Sequence, residues 1–584
     1  MADSPSFDLV IRNGLVVDGT GFAPFKADVA IRDGKIAKIG AINTTGAEEL
    51  DASGCIVTPG FIDVHTHYDG HVTWANRLVP SSNHGVTTAV MGNCGVGFAP
   101  ARPDAHETMI ELMEGVEDIP GVVMREGIPW KWESFPEYLD FVATRSFDMD
   151  VAAYLPHAPL RVYVMGERAL HREDATPEDC AQMRRLAKEA IEAGAIGFAT
   201  SRTINHKSID GELIPTLTSR EDELKSIALG LRDAGSGLMQ MISDFDDPRG
   251  EFAMIRRVAE EGGRRLTFSL LQLPNAPDRW RTVLDAAEAA ASEGLPVTAQ
   301  VCGRPVGVLG GLELSTNPFS YCPSYKAIAD LPLAERIETM RDPAVRKAIT
   351  AEYPTPSHEP IAVPMATPSF MFPMTDELDY MPDLKQNMAA KAAAQGVNVA
   401  DYLYDYLLQD NGKTIIYLPF ANYCEGNSEV IEAMLSSAIT VPGLGDGGAH
   451  CSAICDASLP TYLLMRWTGA GEGPLSLPQM VKSLSADCAA AVELNDRGRL
   501  IEGLKADINV IAIDQIGLKR PEMVYDLPLG GGRLNQRSTG YVATIVSGKI
   551  TYRNGQATGA LPGRLVRGTR PEGKPASKAA MAAA

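Results

Sequence analysis

The chain contains no CxxC pair and no uninterrupted apolar run long enough to span a bilayer. Its opening, MADSPSFDLV, carries neither a basic segment nor an apolar core of the kind that directs secretion. Positive charge is also short: 53 Lys and Arg stand against 74 Asp and Glu, a net charge of −21 over 584 residues. A surface of that sign repels phosphate backbones and anionic lipid, so neither nucleic acid nor membrane is expected as a partner. Nine scattered cysteines in so long a chain suggest reduced thiols and a cytoplasmic protein rather than a disulfide framework. The composition leaves homo-oligomerisation open.

What is present falls into two rhythms. From about Phe7 to Ala52, short β-rich runs alternate with turn signals, among them Asn13-Gly14 and Asp33-Gly34. The same style returns near the C-terminus in ADINVIAID and YVATIVSGKITYRNGQ, with Asn554-Gly555 as a turn. Isolated hairpins are marginal alone, so residues 1–57 and 505–567 are expected to form one small β-sandwich domain from both chain ends. Residues 568–584 are rich in Ala, Lys and Pro and are expected to be a disordered tail.

Between the ends, residues 58–504 alternate β-branched runs with helical segments such as PEDCAQMRRLAKEAIEA. Repeating β-then-α units imply a parallel sheet, and eight of them close a TIM-like (β/α)8 barrel. Nine strand candidates can be counted, so one belongs to an excursion. The Pro-rich stretch from about 307 to 397 breaks the rhythm and is expected to be a lid insertion.

Three clusters carry chemistry. His65-Thr66-His67 follows the run Gly60–Val64, and on a strand residues two apart share a face. Both imidazoles would then face the C-terminal mouth of the first barrel strand, a spacing that suits a divalent metal, most often zinc. HxH alone could equally be two ordinary buried histidines. Cys94, set between Asn93 and Gly95, is either a thiolate ligand or an inert buried thiol. Asp446, in GLGDGGAH, is placed at the end of the last strand candidate either to bind metal and take a proton from water, or merely to serve an Asp-Gly turn.

Together these segments resemble the amidohydrolase superfamily, specifically its D-aminoacylase (N-acyl-D-amino-acid deacylase) branch. The blocks DLVIRNGLVVDGTG, PGFIDVHTH, GVTTAVMGNCGVGFAP, GAIGFATSR and GLGDGGAH carry the likeness over nearly the whole chain. The resemblance implies zinc held by His65, His67 and Cys94, with Asp446 as ligand and general base. It also implies two further zinc-binding histidines after the fifth and sixth strands, but no histidine lies between 206 and 358. Those positions fall at roughly Met241 and Leu270 or Leu271, so one tightly bound Zn²⁺ is expected rather than two. His206 and His450 could replace the lost ligands or donate to the transition state, or they are a loop histidine and a supporting donor. Arg304 stands about where the resembling family places a carboxylate-binding tyrosine, and Met239 and Met241 could shape an acyl pocket unless they are plain core.

The reading is a zinc-dependent hydrolase of the linear amide bond of an N-acyl-D-amino acid or related small molecule, with Asp446, His206 and His450 catalytic. The altered substrate-reading positions keep open a different amide, such as a cyclic amide or a xenobiotic anilide. The lost histidines keep open a metal-binding pseudoenzyme.

Overall fold

The two chain ends meet in one sheet. The computed structural model describes residues 7–356, 362–468 and 473–568. Its nine-stranded sheet runs Gln556–Ala557, Lys549–Arg553, Tyr541–Val546, Ile508–Ile511, Ile56–Pro59, Phe7–Val16, Phe25–Arg32 and Lys35–Gly40, with Gly46–Asp51 also paired to Phe7–Val16. The seam between the ends is the antiparallel pairing of Ile508 with Pro59 through Ile511 with Ile56. Leu9, Ile11, Val29 and Ile31 from one end share a buried core with Ile508, Val510, Ala543 and Ile545 from the other.

The turn chemistry explains most of this sheet. Asp33-Gly34 and Asn554-Gly555 have positive φ at both residues (52° and 72°; 48° and 73°), the requirement of the two-residue hairpin turn that suits strand twist. Asn13-Gly14 behaves otherwise. Phe7–Val16 is one continuous strand whose register shifts between Ile11 and Gly14, and the left-handed Asn13 (φ 60°) accommodates a bulge there, not a hairpin. The expected domain limits shift slightly. Ile56–Pro59 runs past residue 57 within this sheet, and near the other limit the chain returns to the barrel, where Val566 N–H donates to Val151 O at 2.7 Å. Of the tail expected at 568–584, residues 569–584 lie outside the described residues.

The barrel strands, labelled here in chain order, are β1 Phe61–Asp63, β2 Val86–Met91, β3 Asp150–Pro156, β4 Gly197–Arg202, β5 Leu238–Ser243, β6 Leu266–Leu270, β7 Val297–Val301 and β8 Thr440–Pro442. They form an eight-stranded parallel sheet in sequence order. Helices buried against it include Pro177–Ala193, opened by a Thr176/Asp179 capping box and ended at the left-handed Gly194. Residues beyond β1 and β8 close the circle: Asp446 N–H donates to His65 O at 3.1 Å and His67 N–H to Gly447 O at 2.8 Å. The first and last strands thus become neighbours at the mouth of the barrel.

The ninth strand candidate, Ile415–Ala421, is the excursion. It is the middle strand of a three-stranded antiparallel sheet with Val306–Gly310 and Phe372–Met374, over a separate core containing Phe319, Met340 and Leu403. The insertion is therefore longer than 307–397 and includes Ile415–Ala421, while the helix Glu429–Ser436 that precedes β8 packs back into the barrel core. An almost wholly buried strand reads as apolar as a barrel strand, which is why sequence periodicity does not separate the two. Among the described residues no helix is long and apolar enough to cross a membrane.

Candidate metal centre

The regular pleat of β1 stops at Asp63, and the chain bends at Val64–His65 before Thr66 bridges to Gly447. The two histidines therefore converge from a bent segment, not from one face of a straight strand; their ring centroids stand 5.4 Å apart. Cys94 reaches them from the loop after β2. It is held at φ 55° between Gly92 and Gly95, and a Cβ on Gly95 would lie 2.8 Å from Ala199 O, so the loop needs glycine there. Asp446 (φ 46°) and His450 (φ 49°) also occupy the left-handed region. With Leu444 (φ 62°) in the same loop, four non-glycine residues in this sparsely populated conformation at one mouth mark a place where the surrounding structure over-determines the backbone.

Side-chain geometry gives the cluster its chemistry. His65 Nε2 lies 3.3 Å from Cys94 Sγ and 3.4 Å from Asp446 Oδ1, and His67 Nε2 lies 3.6 Å from that same oxygen. Donor atoms bonded to a tetrahedral zinc at ~2.0–2.3 Å stand about 3.3–3.7 Å apart, so the spacing fits such an ion. His65, His67 and Cys94 each place one donor atom within 4.8 Å of the others. Burial holds both imidazoles below their ordinary pKa, in the neutral form that binds metal. Burial also pushes the Cys94 thiol well up, and the neighbouring carboxylates Glu117, Asp446 and Asp69 push it further. For Asp446 burial opposes ionisation, but the hydrogen bond from His67 and the adjacent imidazoles outweigh it and hold the carboxyl below the usual range. Several acidic groups thus face one another out of water, all but Asp446 pushed toward their neutral forms, and a bound cation would reverse that penalty.

A supporting layer surrounds these donors. His65 Nδ1 is 2.7 Å from Gln300 Oε1, which leaves Nε2 to face the centre. Gln240 Oε1 accepts the Cys94 N–H at 3.2 Å. Glu117, which the sequence reading missed, is 2% exposed and places Oε1 3.2 Å from His67 Nδ1 and Oε2 3.8 Å from His450 Nε2. It ends the helix His106–Glu117 on the stripe formed with Ile110 and Met113, and a carboxylate on an apolar stripe is the signal that could have found it. If the centre holds zinc, Glu117→Gln should weaken its binding by about 10-fold or more, the scale for groups packed against metal ligands, because it removes the carboxyl beside His67 Nδ1. Competition with a chelating dye measures this, and unchanged affinity would take Glu117 out of the site.

Known proteins resemble this chain over most of its length. The family described as "Amidohydrolase family" matches residues 48–552, and "Urease alpha-subunit, N-terminal domain" matches residues 1–59. The chain belongs to the amidohydrolase family. An uncharacterized protein of Mycobacterium tuberculosis is 26% identical over 96% of this chain and 94% of its own length. D-aminoacylase of Alcaligenes xylosoxydans xylosoxydans is 36% identical over 34% of this chain and 38% of its own. The crystal structure of D-aminoacylase superposes with a TM-score of 0.62 at 20% identity, covering 96% of this chain and 100% of that one. The N-acyl-D-glutamate deacylase of Bordetella bronchiseptica, solved with zinc and a phosphonate inhibitor, gives 0.62 at 21% identity over 96% and 99%. This amidohydrolase lies in the D-aminoacylase branch and hydrolyses carbon–nitrogen bonds other than peptide bonds.

Within the enzyme, several residues singled out from sequence are placed elsewhere. Met239 and Met241 flank Gln240, which points to Cys94, so both face the opposite way into the layer beneath the helices. They are core, not pocket. By the same parity the inward residues at the ends of β5 and β6 are Gln240, Ile242, Thr267 and Ser269, rather than Met241 and Leu270. Arg304 is 1% exposed; its guanidinium binds Asp456 Oδ1 at 2.5 Å and Cys455 O at 2.8 Å and stacks on Tyr380, 4.0 Å from the ring centre. It braces the loop after β7 and has no free fork for a substrate carboxylate. His206 and His450 do border the cluster. His206 Nδ1 is 2.8 Å from Ser201 Oγ, and burial, with the nearby imidazoles adding to it, lowers its pKa to about 3.

Proposed function

We propose that this enzyme is a zinc-dependent deacylase that cleaves the linear amide bond of an N-acyl amino acid, of D configuration, using one ion. The convergence of His65, His67 and Cys94, with Asp446 Oδ1 3.4 Å and 3.6 Å from the two imidazoles, carries the reading. Its likeness to D-aminoacylase and to N-acyl-D-aspartate and N-acyl-D-glutamate deacylases supports the substrate class. His65, His67, Cys94 and Asp446 would hold the zinc, which when bound serves as a Lewis acid toward the amide carbonyl.

The remaining chemistry belongs to the chain itself. Asp446, held ionised, accepts the proton of the attacking water and returns it to the leaving nitrogen. His450, 3.8 Å from Glu117, and His206, anchored on Ser201, flank the centre as donors to the developing oxyanion. Gln300 holds His65 in orientation, and the Glu117 carboxyl packs against the Nδ1 side of His67.

A single ion is supported by the inward residues of β5 and β6, which offer amide, hydroxyl and aliphatic groups where a second site would need imidazoles. Protein purified without added metal should contain about one zinc per chain by elemental analysis, and a chelator should abolish turnover of N-acyl-D-amino acids. A stoichiometry near two would overturn the mononuclear reading, and metal-independent turnover would overturn the zinc reading. One observation favours a second reading: with Arg304 committed to Asp456, a neutral amide such as an anilide lacks nothing that an N-acyl amino acid would have found there.

A further inference from the structure

Arg279 opens the helix Arg279–Ser292 that follows β6, and it lines a cavity of about 100 Å³ together with His206, Asp244 and Ser269. That volume is several times the ~10–15 Å³ that a single water needs. His206 also borders the metal cluster, so the cavity lies beside the place where the amide is cleaved. Arg279 is the one Lys or Arg among the described residues that line it.

One nitrogen makes the contacts that hold this guanidinium. Nη1 donates to Asp244 O at 2.5 Å and stands 2.9 Å from Asp246 Oδ1. The Asp246 side chain is 73% exposed, so water screens that ion pair and most of the positive charge stays unanswered. Nε and Nη2 have no partner among the described residues. These two nitrogens form the edge of the guanidinium that meets a carboxylate with two parallel bonds. The same edge grips a carboxylate at three other arginines of this chain. Arg184 holds Asp233 at 2.7 and 3.0 Å, Arg257 holds Glu221 at 2.8 and 2.7 Å, and Arg533 holds Asp526 at 2.8 and 2.7 Å.

A second donor faces the same cavity. Ser269, at the inward end of β6 and level with Gln300, is 4% exposed, and its Oγ has no partner. A hydroxyl left unpaired out of water is costly, and an anion accepting from it would recover that cost. Asp244, the one acid among the described residues lining the cavity, is engaged elsewhere: it accepts from Thr203 Oγ1 at 2.5 Å and from Ile204 N–H at 2.8 Å.

We propose that Arg279, with Ser269, binds a carboxylate of the substrate, an anion subsite carried by the helix after β6. The proposal rests on the deacylase reading above. The group bound is the α-carboxylate of the amino-acid half or a carboxylate on its side chain, and two substrates separate these. With the zinc-loaded enzyme, Arg279→Met should lower kcat/KM by about 10–100-fold, the scale of hydrogen bonds to a charged group, with the loss carried by KM. An equal loss for N-acetyl-D-glutamate and N-acetyl-D-glutamine assigns the α-carboxylate, and a loss for the glutamate derivative alone assigns the side chain. Arg279→Lys keeps the charge without the fork and should recover part of the loss. Ser269→Ala removes a hydroxyl that bonds nothing in the protein, so it should fold as the wild type does and raise KM by about tenfold. It carries the test if Arg279→Met does not fold. An unchanged KM for both substrates in these variants overturns the proposal and leaves the deacylase reading standing. If neither compound is hydrolysed, the deacylase reading falls and binding decides the subsite. Glutarate should then raise the Tm of the wild type more than that of Arg279→Met at equal zinc content, and glutaramide should raise neither. Equal stabilisation of both proteins by glutarate, or none, overturns the subsite.

Discussion

Replacing Asp446 by asparagine should lower kcat by at least about a hundredfold, the lower end of what a general base contributes. The substitution retains volume and tolerates the left-handed backbone at this position (φ 46°), because asparagine visits that region readily. The Asp446 N–H bond to His65 O that helps close the barrel is a main-chain bond and survives. What is lost is a carboxylate that can accept a proton at neutral pH. Zinc content measured on the same preparation separates loss of the base from loss of the ligand. Near-normal turnover by this variant would remove Asp446 from the mechanism.

His65→Ala and His67→Ala should each abolish both metal binding and activity. Each imidazole stands within 3.6 Å of Asp446 Oδ1, and removing either takes away one of the only two donors that burial keeps neutral and ready to bind a metal. Cys94→Ala should weaken binding without abolishing it, since burial and the neighbouring carboxylates disfavour the Cys94 thiolate, while both imidazoles and Asp446 remain. Elemental analysis with turnover of an N-acyl-D-amino acid reads all three variants. Full zinc occupancy in either histidine variant would show that the ion is held elsewhere.

Much of the candidate site is legible in the chain because its residues lie where strand signals end. HxH after an apolar run, a cysteine between glycines and an aspartate in a glycine-rich loop each fall just past a β segment, where a barrel places its chemistry. Glu117, Gln240 and Gln300 were not legible as site residues. Each sits far along the chain, 50 residues or more from its partner, inside an element whose own pattern is structural. Arg304 misled for the same reason: its position in sequence suggested a free cation, while its partner Asp456 lies 152 residues away.

The sequence by itself determined the alternation of strands and helices, the pairing of the two ends into one sheet and the residue types available to a metal. These follow from local patterning, from turn chemistry at Asp33-Gly34 and Asn554-Gly555, and from the need of marginal hairpins for a partner. Only the tertiary structure decided which residues meet. Parity of β5 sends Met239 and Met241 outward and Gln240 inward, and a shift of one residue would reverse that. Closure of the barrel sets His65 beside Asp446 across 381 residues of chain, through two main-chain bonds at the seam. Such a contact has no local signature, because it depends on the sheet curving until its first and last strands touch.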